Sequence, residues 1–303
     1  MGWNMLQTRR FLWAYLLVVV MLVGSVLLDQ RDVLFPEIAG MAMGVIVFQV
    51  PHWIKKPLHL WLSPTLGAFI GTSLNYASLA PLIKLWIGLV IIVILMHLFR
   101  VQFGPTIPAA LLPIFIGLHD YVFAISTAVF SFVIMWAAYA VRTPEKASKD
   151  PVKFRNVAET VTITLVLMLW MGIVAATGFE ALIVPPVFAL IFEVFHSNFG
   201  WKLIPPRLAV LTITALLSVG VYHLFGDSIL TVGVINVILT LLLCIACKTP
   251  VPVAFGVSLM PLIYPAWGSW WFPAGVFVTT GALMCISAAN RQIRNSRAAA
   301  VNE

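Results

Sequence analysis

Between Arg100 and Asp120 the chain reads RVQFGPTIPAALLPIFIGLHD. The reading of this stretch decides the fold. Three prolines (Pro105, Pro108, Pro113) and two glycines (Gly104, Gly117) interrupt a strongly apolar run. It is too hydrophobic for a solvent loop and too broken for an ordinary helix. A related stretch, Lys248-TPVPVAFGVSLMPLIYP, returns near the other end.

The surroundings settle the solvent. Of 303 residues, 61% are hydrophobic and 10% charged, against about 25% charged in a soluble domain. Mean hydropathy is +1.02, and several apolar runs approach the roughly 18 residues of a membrane-crossing helix. The chain reads as an all-α polytopic membrane protein. The N-terminal MGWNMLQTRRFLWAYLLVVVMLVGSVLL has the basic start of a signal peptide. Its long apolar run and the absence of a small-x-small cleavage site make it a retained first helix.

Polar breaks divide the chain into twelve apolar segments, near 11–28, 33–51, 60–78, 82–99, 105–118, 121–141, 158–177, 181–196, 204–224, 228–247, 250–265 and 271–289. With the N-terminus cytoplasmic and sides alternating, 16 of the 18 Lys and Arg residues fall inside; only Arg31 and Lys84 fall outside. This satisfies the positive-inside rule and accounts for the net charge of +7 without nucleic acid. The expected location is a cell (inner) membrane, with both termini cytoplasmic. Segments five and eleven are short or proline-broken: about 14 residues reach only about 21 Å across a core of about 30 Å.

The two halves repeat. Leu34-FPEIAGMAMGVIVFQ faces Ile183-VPPVFALIFEVFHSN, and Trp61-LSPTLGAFIGTSLN faces Leu203-IPPRLAVLTITALLS. The Arg100 stretch faces the Lys248 stretch, and AVFSFVIMWAAYAVR (to Arg142) faces GVFVTTGALMCISAANR (to Arg291). Six segments per half is an even number, so the expected repeats are parallel: 1–141 and 158–290, with a polar linker at 142–157 and a tail at 291–303.

Open backbone groups do not face lipid, so broken segments belong inside the bundle, and a pair of them in corresponding positions points to a transport site. Their helix starts would carry free N–H groups and partial positive charge toward a small anion. Candidate substrate-binding residues are Pro105, Thr106, Pro108, Lys248, Thr249, Pro250, Pro252 and Arg207, with Asn236 a mid-membrane polar side chain. Glu193 and His196, three apart on one helix face, are candidates for carrying a coupling proton. Each also has a plainer role: kinks that serve packing, end charges that set topology, Asn236 as a helix–helix hydrogen bond, Glu193 and His196 as interfacial caps. Glu37 and Lys84 fall near the outer ends, where they are expected to snorkel. The runs GAFIG (Gly67 to Gly71) and AGMAMG (Ala39 to Gly44) permit close helix approach. Cys244-Ile-Ala-Cys247 has no partner Cys pair or His cluster and reads as packing. No H-E-x-x-H, G-x-S-x-G or Walker loop is present, so neither an enzyme nor a metal or other cofactor is expected.

From about Leu182 to Arg291 the chain resembles the HPP family of integral membrane proteins. The likeness rests on Lys248-Thr-Pro-Val-Pro-Val-Ala254, Trp271-Phe272-Pro273 and Ala289-Asn290-Arg291, with a weaker echo in Gly104-Pro-Thr-Ile-Pro-Ala109. The family's signature His is missing from both copies, and the two prolines are not adjacent. The resemblance implies permeation of a small, nitrite-like anion. The six-helix halves are also similar to aromatic-acid exporters and their fusaric-acid-resistance relatives, which implies export of amphipathic organic acids. From other classes stand a membrane subunit of a complex and an embedded enzyme acting on a lipid-linked substrate. The expected partners are the bilayer, the transported acid or anion, and a second copy in a homo-oligomer.

Overall fold

The computed structural model describes residues 5–100, 103–141, 157–195, 199–226 and 228–302. Among these the chain is all helical, with no strand. Its helices are α1 (Met5–Leu27), α2 (Glu37–Ala42, continued by a π-helical stretch Met43–Val47), α3 (Pro51–Ile54), α4 (Pro57–Leu74), α5 (Pro81–Leu98), α6 (Thr106–Ile116) and α7 (Val122–Val141). The second half has α8 (Val157–Thr177), α9 (Pro185–Val194), α10 (Ile204–Phe225), α11 (Ile229–Ala246), α12 (Pro252–Leu259) and α13 (Phe272–Asn302). Seven helices are long and apolar enough to cross a membrane: α1, α5, α7, α8, α10, α11 and α13. The chain is a polytopic membrane protein in that sense. α13 runs unbroken through the expected start of the tail at residue 291, to Asn302.

Every one of the twelve apolar segments contains a helix. Two more are short than the sequence suggested: the second and eighth join the fifth and eleventh. The order in each half is long, short, long, long, short, long. The short helices α6, α9 and α12 have 11, 10 and 8 residues, about 12–17 Å each. Proline starts them or closely precedes them, where its missing N–H costs least.

Burial separates the two kinds of helix. All of α2, α6 from Thr106 to Ile114, and α12 from Val253 to Leu259 are buried. The long helices keep exposed apolar faces, such as Leu12, Trp13 and Leu16 on α1 and Ile125, Val129 and Phe132 on α7, as lipid-facing helices do. The short helices therefore form the inner layer.

The pairing inside that layer is reciprocal. α2 packs against α12 and α6 against α9; outside them α1 packs against α11 and α5 against α8. α4 lies against α6 and α7, as α10 does against α12 and α13. The GAFIG run does what small residues permit: a side chain on Gly71 would come within 2.1 Å of the Ala110 carbonyl oxygen on α6.

Irregular backbone at the approaches to the short helices finds partners inside the protein. Ser126 Oγ donates to the Val33 carbonyl at 2.5 Å. Trp170 Nε1 and Thr279 Oγ1 donate to the Leu182 carbonyl, and Trp267 Nε1 to that of Ile183 at 3.0 Å. This is the condition for broken helices at membrane depth.

Candidate functional site

Arg100 and Lys248 turn the chain from the long helices α5 and α11 toward the short α6 and α12. Both adopt left-handed backbone, with φ of 53° and 51°. Lys248 is exposed and Thr249 Oγ1 donates to the Cys247 carbonyl, while Pro250 is exposed. These three sequence candidates therefore stay at the end of the bundle.

Further in, the short helices cross near their starts. A side chain on Gly40 of α2 would meet the Pro252 carbonyl oxygen at 2.9 Å; one on Gly104, just before α6, would meet the Ala189 oxygen of α9 at 2.6 Å. Gly104 and Pro252 each stand four residues after their left-handed Arg100 or Lys248, so the two crossings are equivalent. Only a residue without Cβ admits such an approach.

A cavity of about 10 Å³ lies where they meet, about the room for one water. Its lining includes Glu37 and Gly40 of α2, Pro105 at the start of α6, Pro186 of α9, Val253 of α12, and Trp53. All four short helices reach it by their first turns. Pro105 and, beside Pro252, Val253 both line it, while α6 packs against α9 and α12 against α2. Pro108 is buried within α6 but does not line the cavity. The Thr106 hydroxyl is buried without a partner and faces a second small cavity with Leu62, Leu66 and Ile92.

Glu37 is the correction. Expected near the outer end, it is 4% exposed, and neither carboxyl oxygen has a hydrogen-bond partner. The reason is that Val33, Leu34 and Phe35 are already buried before the helix begins. The chain enters the interior first, and α2 starts inside.

The helix starts are less open than expected. Pro105, Pro185, Pro186 and Pro252 have no N–H. The N–H groups of Ile38, Ala39, Thr106, Ile107, Val187 and Ala254 already bond carbonyls three residues back. What remains for a ligand is the field of the helix ends, with few donors.

Glu193 occupies the rim. Its Oε1 accepts from Trp53 Nε1 at 2.9 Å and from the Gly104 N–H at 3.1 Å, and Oε2 lies 3.7 Å from His52 Nε2. It binds the end of α9 to α3 and to the approach to α6. His196 lies outside the described residues, so the Glu193–His196 pair has no geometry to report. Arg207 holds its guanidinium 5.2 Å above the Phe199 ring. Asn236 Nδ2 donates to the Ser258 carbonyl at 3.1 Å, joining α11 to α12. Neither lines the cavity. All three cysteines are free thiols, and no group of three potential ligands capable of holding a metal occurs among the described residues.

Sequence reasoning missed Glu37 and Trp53. A signal for Glu37 was present: laying the halves over each other sets Pro36-Glu37 opposite Pro185-Pro186, and both pairs stand at the start of a short helix. Trp53 carried none. Compared with protein-family models, curated proteins and solved structures, the chain finds no match in any of the three.

Proposed function

We propose that the chain is a secondary transporter or channel for a small anion or organic acid, with its site between two parallel six-segment repeats. The observation that carries this reading is the meeting of four short-helix starts, two from each half, at one cavity. Partial positive charge gathers at helix N-termini, and short interrupted helices beside a buried cavity are a recurring plan for transport sites. The reciprocal pairing of α2 with α12 and α6 with α9 supports two repeats related by a two-fold. The cavity, with room for one water, is far too small for an aromatic acid and would have to widen even for a nitrite-like anion, the substrate that the HPP-family resemblance implies. Arg207, Lys248 and Asn236 take no direct part in this site.

The test is flux in proteoliposomes for nitrite, formate and a panel of aromatic acids. Saturable flux of the parent, abolished by filling the cavity with Gly256→Leu in a variant that stays monodisperse, supports the reading. Absence of flux for every acid, or flux indifferent to the filled cavity, overturns it.

A further inference from the structure

Glu37 is the group that the reading above leaves unexplained. A carboxyl group buried with no partner is expensive in a low-dielectric site, and within membrane segments such a residue marks function. Here it is 4% exposed, unbonded at both oxygens, and among the residues that line the cavity where the short helices begin.

The cavity has a shortage that Glu37 can fill. Prolines and short-range backbone bonds use up most of the donors at the helix starts. Trp53 Nε1 is committed to Glu193. Among the residues lining the cavity, the Glu37 carboxyl is the one remaining side-chain group able to donate, and it donates only with a proton on it. An ionised Glu37 beside an anion would set two like charges within a few ångströms, at a cost of several kcal/mol even at an effective dielectric of about 20. A protonated one offers the anion an O–H.

We propose that Glu37 binds the proton that enters this site together with the anion, so that occupancy by one requires the other. The proposal rests on the anion-transport reading and adds the coupling ion. No bond to carbon forms or breaks; a proton is taken from solvent onto a Glu37 oxygen and returned when the anion leaves.

Other titratable groups do not replace it. Of the helices packed against α2, α12 has none, α7 has Tyr139, and α1 has Arg9, Arg10 and Tyr15. None of these lines the cavity. Arg31 and Asp32 precede α2 and are outside the lining too. Glu193, with His52 beside it, is one step removed, its Oε1 already bonded by Trp53 and Gly104.

The experiment is calorimetric titration of the detergent-purified full chain with nitrite, formate and benzoate. It is run from pH 5 to 9, in pairs of buffers with different ionisation heats. Toward the alkaline end of that range, where the carboxyl of the empty site is ionised, the parent is expected to take up one proton per anion, and there its affinity falls up to about tenfold per pH unit as pH rises. Glu37→Gln is expected to show no proton uptake and an affinity that does not move with pH. Glu37→Asp restores both, and Glu193→Gln keeps the proton uptake. A parent that binds anion without proton uptake at any pH from 5 to 9 overturns the proposal while leaving the anion site standing, and that measurement needs no variant. Proton uptake that survives in Glu37→Gln overturns it as well. A parent that binds none of the three anions sinks the anion site and the coupling together.

Discussion

Glu193 accepts two hydrogen bonds on one oxygen, from the Trp53 indole and the Gly104 backbone. Replacing it with Ala strands both donors in a mostly buried place, at about 1–3 kcal/mol each. Glu193→Ala is therefore expected to lower the Tm of the purified protein by several degrees, and Glu193→Gln, which keeps an acceptor, by less. Gly71→Ala drives a methyl group into the Ala110 carbonyl and should cost at least about 1–3 kcal/mol, read by the same melting curve. In the loop between α1 and α2, burial and then neighbouring Asp120 push the Asp32 carboxyl above its usual range. A raised value in the folded state means the contribution is whole below about pH 4 and is lost as pH rises through the folded value. Asp32→Asn is expected to raise Tm at pH 7 by no more than about 1 kcal/mol equivalent, because the group is half-exposed, and to change nothing at pH 4.

At the scale of elements, the turns into α6 and α12 carry strain. A left-handed residue with a side chain costs about 1–2 kcal/mol, and Lys248 sits there at φ 51°. Lys248→Gly should stabilise the protein by about 1 kcal/mol, measured as a higher Tm; a lower Tm would show that the ammonium group holds the turn. The end of α6 is closed more cheaply. Gly117 takes the left-handed cap at φ 73°, and Asn75 Nδ2 donates to the Pro113 and Leu118 carbonyls at 2.7 Å each. Prolines made α6 and α12 legible as broken segments from composition alone. α2 escaped notice because it has a proline only before its start, and its shortness comes from buried non-helical chain ahead of it, which hydropathy does not distinguish from helix.

In the whole molecule the halves interlock, with each short helix covered in part by the opposite half. Residues 1–141 expressed alone would leave α2 and α6 without α12 and α9, exposing the crossings at Gly40 and Gly104. Each half alone is expected to aggregate on extraction, and the two halves co-expressed are expected to co-purify. Stable, monodisperse single halves would contradict an inner layer shared between them.

The sequence by itself determined the solvent, the helical class, the twelve apolar segments and the candidate broken pair. These follow from hydropathy, charge placement and proline chemistry, all local properties. Tertiary structure alone decided which residues meet. It placed Lys248, Thr249 and Pro250 at the end of the bundle, gave Asn236 to a helix contact, and set Glu37 at the meeting of four helix starts. Charge and hydropathy locate a residue along the chain, whereas its depth depends on how much non-helical chain runs inward before its helix begins.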